Sequence, residues 1–312
     1  MKRLAIMMAA ALGALAAFYA WAGWVYEGQW GKTGTGPGEF EWVWSVDVAP
    51  NGNVYTLEYW EDLGRVQYFT ATGSYMGQWK EYGELYAVGV APNTNVYVTE
   101  WDWVFYYTAG GSFLGSWGWY PHLYDIFGID VAAGGTVYVC DGGNDKIQYF
   151  TGKGSKLGEW GRLGSGNGEF YHPWGVEVAP NGDVYVADTY NYRIQYFNYA
   201  GSFKGKWGSR GSGNGQFDEP IEIAVGPDGR VCVLDQSNYR VQYFTSAGSF
   251  LGKFGTRGSG PGQFDSSYGL ALSPDGRRLY VADTCNDRVQ YFRWTETNVA
   301  PASLGRVKAL FR

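Results

Sequence analysis

The sequence is poor in the residues that catalysis and metal binding most often draw on. Its 312 residues include only two histidines, His122 and His172, and three cysteines, Cys140, Cys232 and Cys285. Two imidazoles exclude a three-histidine zinc site. Three thiols at no ligand-type spacing are expected to be unpaired. Positive charge is scarce too: the net charge is -6, and removing Lys2 and Arg3 takes it to -8, the wrong sign for neutralising phosphates. Nucleic acid is therefore not an expected partner. Long apolar runs and Ala- or Leu-rich segments are confined to the first 23 residues.

That first stretch, MKRLAIMMAAALGALAAFYAWAG, carries Lys2 and Arg3, then an uncharged run, then Ala20 and Ala22 in the small-x-small arrangement of a signal-peptidase site. It is read as a signal peptide over residues 1–22, giving a secreted, periplasmic or envelope protein with no membrane span after cleavage. The uncharged run from Leu4 to Ala22 is 19 residues, so an uncleaved anchor is the alternative. Beyond it, Val, Tyr and Trp dominate, aromatics reach 19% and glycines number 48, a composition of strands and turns with almost no helix.

The dominant pattern is a repeat. Gln-Tyr-Phe recurs at residues 67–69, 148–150, 195–197, 242–244 and 290–292, and aligning on Gln67, Phe105, Gln148, Gln195, Gln242 and Gln290 gives six units spaced by 38, 43, 47, 47 and 48 residues. Such a period marks a propeller or solenoid. Unit four, GSGNGEFYHPWGVEVAPNGDVYVADTYNYRIQYFNYAGSFKGKWG (164–208), contains four short strand-like runs, which is one propeller blade. Asn51-Gly52, Asn181-Gly182, Asp228-Gly229 and Asp275-Gly276 fall between the first two runs, where a type I′ hairpin is expected. The fold class is thus all-β: a six-bladed β-propeller of four-stranded antiparallel blades.

The segment GNGEFYHPWGVEVAPNGDVYVADTYNYRIQYF resembles the NHL repeat family. The resemblance covers residues 24–292, strongly in units three to six and weakly in one and two. It implies a six-bladed propeller. Relatives by fold include lyases and lactonases with metal at the propeller axis. Members that bind RNA use a basic face, which is missing here.

The fourth-run signature, an apolar residue followed by Gly-x-Trp, recurs in units one to five, with Phe for Trp in the fifth, but not in the last. The missing copy is VYEGQWG at 25–31. The N-terminal strand is therefore expected to complete the last blade and remove its open edge. The expected domains are a signal peptide at 1–22, the propeller at 23–293, and a linker and short tail at 294–312. In the tail, SLGRVKALFR has the pattern of a short amphipathic helix.

Four units carry one triad: Asp141, Asn144, Lys146; Asp188, Asn191, Arg193; Asp235, Asn238, Arg240; and Asp283, Asn286, Arg288. Four copies point to scaffolding, with Asp and Asn capping the turn through their own backbone and Arg spanning to a neighbour. The pattern fails in units one and two. Unit one has Glu58 at the Asp position, two extra residues and no Asn, and unit two has neither Asn nor Arg. The crossover loops into blades two and three also shorten. From the outer tryptophan to the inner-strand valine there are 18 residues in units one and four, 11 from Trp79 to Val90 and 14 from Trp117 to Val131. A depression is expected over blades one to three, lined by Trp60, Glu61, Asp62, Tyr82, Glu84, Trp101, Asp102, Trp103, Trp119 and His122. Residues 32–130 hold 12 acids against 3 bases, and residues 131–292 hold 16 against 15. Tryptophan faces beside carboxylates suit a glycan or a cationic peptide.

Two further sets lie at the axis. The residues leading each inner strand are Trp44, Tyr86, Phe127, Trp174, Ile221 and Tyr268, a ring that could plug the channel. Three positions on, Asp47, Asp130 and Glu177 replace small residues, and carboxylates facing a channel suit Ca²⁺ or a water-filled lining. No Ser-His-Asp signature appears, and the GSGNG runs precede strands rather than helices. The expectation is an exported, monomeric, non-catalytic binding module, the alternative being a channel-metal hydrolase or lyase with His122 as base.

Overall fold

A computed structural model describes residues 23–60, 63–119 and 122–296. The expected leader at 1–22 and the expected tail helix over 303–312 lie outside the described residues, as do Glu61 and Asp62. No helix among the described residues is long and apolar enough to cross a membrane.

After an N-terminal strand β1 (Gly23–Trp30), blade 1 comprises β2 (Val43–Val48), β3 (Val54–Trp60), β4 (Leu63–Phe69) and β5 (Tyr75–Tyr82). Blade 2 comprises β6 (Leu85–Val90), β7 (Val96–Glu100), β8 (Trp103–Tyr107) and β9 (Phe113–Gly118), and blade 3 β10 (Ile126–Val131), β11 (Thr136–Asp141), β12 (Lys146–Thr151) and β13 (Lys156–Trp160). Blade 4 comprises β14 (Val176–Val178), β15 (Val184–Asp188), β16 (Arg193–Phe197) and β17 (Phe203–Trp207), and blade 5 β18 (Pro220–Val225), β19 (Val231–Asp235), β20 (Arg240–Phe244) and β21 (Phe250–Phe254). Blade 6 contains β22 (Gly269–Leu272), β23 (Arg278–Asp283) and β24 (Arg288–Thr295), and β1 is its outer strand, pairing antiparallel with β24 from Gly23↔Thr295 to Trp30↔Val289. The closure expected from the missing signature is the one observed. The last strand ends at Thr295, two residues past the expected domain limit.

Each residue of Gln-Tyr-Phe has its own task. The Phe is buried between blades, as Phe69, Phe197, Phe244 and Phe292 are. The Tyr lies over the glycine of Gly-x-Trp on the outer strand: Tyr196 faces Gly205 and Tyr291 faces Gly28. A Cβ on Gly205 or Gly28 would fall 2.5 Å from that tyrosine, so only glycine lets the ring lie flat on the strand. The Gln is wholly buried and joins the polar network described below. Middle strands such as β15 are buried along their whole length, whereas outer strands such as β17 alternate. The core is accordingly a set of apolar layers between neighbouring blades.

Two local expectations are corrected. The first-hairpin turns are not type I′: Gly52, Gly182, Gly229 and Gly276 have positive φ, but Asn51, Asn181, Asp228 and Asp275 do not. Pro50 presets a type I turn closed by Gly52 N–H to the Ala49 carbonyl at 2.8 Å, with the glycine as the left-handed residue that follows. Nor does the triad aspartate cap its own turn. The 3-10 turns after Asp141, Asp188, Asp235 and Asp283 have no side-chain cap, because these carboxylates face the crossover loop instead. Cys140, Cys232 and Cys285 are free thiols, as expected.

Candidate functional site

In each blade the crossover loop and the turn between the second and third strands share one face, and the other two turns share the opposite face. In blade 4 the loop and turn are tied together by one buried network. Asp188 accepts from the Tyr171 amide at 2.8 Å, from Arg193 Nε at 2.6 Å and from Gln195 Nε2 at 3.0 Å. Arg193 in turn donates to the carbonyls of Ser165, Gly166 and Glu169 in the crossover loop. Blades 5 and 6 repeat it through Asp235–Arg240 and Asp283–Arg288, each pair at 2.7 Å. Burial pushes the Asp188 carboxyl upward against the Tyr171 amide and Arg193. The triad is scaffolding that clamps the blade-to-blade connection.

Blade 1 keeps the clamp in altered form. Glu58 accepts from both Nε and Nη2 of Arg65 at 2.7 Å, a bidentate pair in which the longer side chain makes up for the missing Asn. The two extra residues lengthen the β3–β4 hairpin to Trp60↔Leu63, and β5 follows alongside to Tyr82. The expected depression is therefore uneven: blade 1 raises a wall, carrying the backbones of Trp60 and Tyr82, instead of a floor.

Blade 2 has lost the clamp. Trp103 stands where the arginine would be and Glu100 where the aspartate would be, joined as the last pair of a two-residue turn. The turn residue Trp101 has φ 30°, a left-handed value unusual for a bulky side chain, and its carbonyl accepts from the Ile126 amide of blade 3 at 2.9 Å. Burial raises the Glu100 carboxyl, and the charges of Glu81, Asp102 and Glu84 raise it further. Tyr107 donates to Glu81, and Tyr86 donates to Glu84 at 3.1 Å. Trp101 is 42% exposed, Trp103 38% and Trp119 58%, with His122 edge-on to Trp119 at 5.3 Å. Trp101 packs edge-on to Tyr86 of the axial ring at 5.7 Å.

The six residues expected to ring the channel do so around a cavity of only about 20 Å³. Trp44 meets Tyr268 at 4.3 Å, and Phe127 stacks on Trp174 at 4.7 Å. Beyond this plug the channel widens to about 290 Å³ toward the opposite face, lined by Asp47, Asp130 and Glu177. These carboxylates stitch inner strands together: Asp47 accepts from Val90 N–H at 2.6 Å, Asp130 from Val178 N–H at 2.6 Å and Glu177 from Val225 N–H at 3.1 Å. Each keeps some solvent contact in the channel, but protein surrounds it. Burial, then the charge of Asp130, pushes Asp47 to about 7. Burial likewise raises Asp130 and Glu177, which share a hydrogen bond. Among the described residues, no three His, Cys, Asp or Glu side chains are grouped to hold a metal ion.

Sequence reasoning missed Glu222, which burial pushes to about 8 at the channel's plugged end. It lies one position after the ring residue Ile221, where the other units have Ser45, Ala87, Gly128, Gly175 and Gly269; a count along that column would have found it. Also missed were Glu81, Glu100 and Trp42, the last 57% exposed on the blade 1 crossover. Trp42 sits two residues before a ring residue, as Asp125 and His172 do, and all three have positive φ.

Fold and repeat together define a closed six-bladed propeller in which blades 1, 4, 5 and 6 share one carboxylate–arginine clamp. Residues 170–197 match the NHL repeat, spanning blade 4 from its buried crossover Phe170 to Phe197. With a four-stranded blade recurring six times around the ring, that match supports an NHL-repeat propeller. Comparison with curated protein sequences gives no match. Among solved structures it is similar to streptogramin B lyase, with a TM-score of 0.61 and 12% identity over 87% of this chain and 98% of that one. It is similar to a structural genomics protein of unknown function from Bacteroides thetaiotaomicron VPI-5482, with a TM-score of 0.64 and 14% identity over 86% and 73%. Kuenenia stuttgartiensis hydrazine synthase gives 0.59 and 13% over 85% and 99%. At such identities the likeness is one of fold.

Proposed function

We propose that the protein is an exported, non-catalytic binding module that holds its ligand on the crossover face over blades 1 to 3. The observation that carries this proposal is the loss of the clamp arginine in blade 2. It removes the guanidinium that pairs with the equivalent carboxylate in blades 1, 4, 5 and 6 and leaves Glu100 within the field of Glu81, Asp102 and Glu84, on the hairpin that carries the exposed Trp101 and Trp103. A cationic side chain from a partner would supply the missing charge and meet an indole face. A basic peptide segment is therefore favoured over a neutral glycan. The leader at 1–22 supports export.

A channel-metal lyase or hydrolase would need its base and its carboxylates in one cavity. His122 belongs to the crossover face, whereas Asp47, Asp130 and Glu177 open to the opposite one with the aromatic plug between. The channel is proposed instead as a wet polar lining that stitches the blades.

The test takes protein from expressing cells. Fractionation should place it in the envelope or medium with its N-terminus near Gly23. Peptide and glycan arrays should then return Lys- or Arg-bearing peptides whose binding weakens as salt rises. Retention in the cytosol would contradict export, and salt-independent binding of a neutral glycan would contradict the cationic ligand.

A further inference from the structure

At four blade junctions the crossover loop contributes a phenylalanine, and Phe40, Phe170, Phe217 and Phe264 are all wholly buried. Each ring lies 5.6–5.9 Å from the strand phenylalanine of its blade. Each also covers the glycine after the outer strand: a Cβ on Gly31, Gly161, Gly208 or Gly255 would strike it. The junction of blades 2 and 3 has the same backbone arrangement. Gln148 donates to the His122 carbonyl as Gln195 does to that of Glu169, and Asp141 accepts from the Tyr124 amide as Asp188 does from that of Tyr171. The residue in the phenylalanine position is Leu123. At Gly118 the three nearest atoms to a Cβ belong to Asp102 and Trp103, with no atom of Leu123 among them.

A cavity of about 200 Å³ remains, walled by Trp117, Leu123, Gln148 and Phe150, with exposed Trp119 and His122 and the Glu159-paired Lys156 in its lining. At four other junctions a phenyl ring stands at the Leu123 position, beside the strand phenylalanine equivalent to Phe150. An apolar cavity of this size gains dispersion contacts when an aromatic group fills it. Asp102 borders the same junction at Gly118, within the acid-rich sector.

We infer that the cleft between blades 2 and 3 is an anchor pocket that takes the phenylalanine side chain of a basic partner polypeptide, replacing the ring that four other junctions supply themselves. This rests on the binding face proposed above and adds the chemistry of its anchor. Trp117 and Phe150, 4.5 Å apart, supply the aromatic walls. The neighbouring carboxylates select Lys or Arg in the flanking sequence.

The experiment pans a displayed random-peptide library against the full propeller. The expected result is enrichment of peptides with Phe beside Lys or Arg. Their affinity should fall at least about tenfold when the peptide Phe becomes Ala or when the protein carries Leu123→Phe, since burying a phenyl group is worth about that much or more. Leu123→Phe restores the residue found at four other junctions, and its melting curve checks that it folds. Competition by N-acetylphenylalaninamide, but not by N-acetylalaninamide, gives a second readout that needs no variant. Peptides without an aromatic residue, or equal binding to Leu123→Phe without competition, would overturn the anchor pocket. If such peptides still weaken on Trp101→Ala or Trp103→Ala, the binding face survives alone. Recovery of no binding peptide would overturn both.

Discussion

Asp188, Arg193 and Gln195 illustrate how a motif with catalytic residue types becomes structure. The carboxylate is wholly buried, the guanidinium nearly so, and their remaining hydrogen-bonding positions are taken by amides and carbonyls of the crossover loop. Removing one partner of such a pair leaves a buried charge unpaired. Asp188→Ala or Arg193→Ala should therefore cost about 3–5 kcal/mol in chemical denaturation and leave ligand binding per folded molecule unchanged. A loss near zero would contradict the clamp. The channel carboxylates differ because no cation among the described residues pairs with them. Asp47 at about 7 and Glu222 at about 8 lie above their ordinary values, so the folded state binds protons more tightly than the unfolded. Their stabilising contribution is full below about pH 4, declines as pH rises and is gone above about pH 8. A melting series across that range should fall with pH, and Glu222→Gln should flatten the fall. Millimolar Ca²⁺ should leave the series unchanged; a rise in melting temperature abolished by Asp47→Asn with Asp130→Asn would show a metal site instead.

At the scale of elements, closure of the ring depends on one eight-residue strand. Besides its pairing with β24, β1 brings Trp30 against Phe69 of blade 1 at 5.6 Å, and Glu27 against Arg278 at 2.7 Å. Arg230 of blade 5 lies over Trp294 at 3.4 Å and over Trp24 at 5.2 Å, joining the closing blade to its neighbour. Deleting residues 23–31 should expose the β24 edge, broaden the melting transition and promote aggregation, and an unchanged melting profile would contradict the closure. This strand was legible because Gly-x-Trp has a steric cause, the tyrosine lying on its glycine, so a copy displaced to the N-terminus is recognisable. The Pro-Asn-Gly turn type was not, because Asn and Gly together suit two turn geometries and the preceding proline decides between them. Glu222 was hidden because it stands two residues before Ala224, the blade 5 member of the column in which Asp47, Asp130 and Glu177 drew notice. The blade 1 wall was hidden because two extra residues extend a loop or a ladder equally well, and only pairing across the hairpin distinguishes them.

Over the whole molecule, five blades anchor a carboxylate at the turn between their second and third strands and blade 2 leaves its equivalent without a clamp, so the repeated scaffold is broken in that sector. The acid excess of residues 32–130 was countable from the sequence, whereas the missing phenyl ring at Leu123 required the four junctions that hold one to be seen. The central claim is that this sector, and no other part of the face, binds the ligand. Its most direct test compares the affinity of one array-selected basic peptide for Trp101→Ala, Trp103→Ala, Tyr190→Ala and Tyr239→Ala proteins. The two tyrosines lie on the equivalent turns of blades 4 and 5, across the ring. The tryptophan variants should each lose about 2 kcal/mol or more of binding free energy, with the tyrosine variants unchanged. Equal losses at all four positions, or none at the tryptophans, would contradict the account.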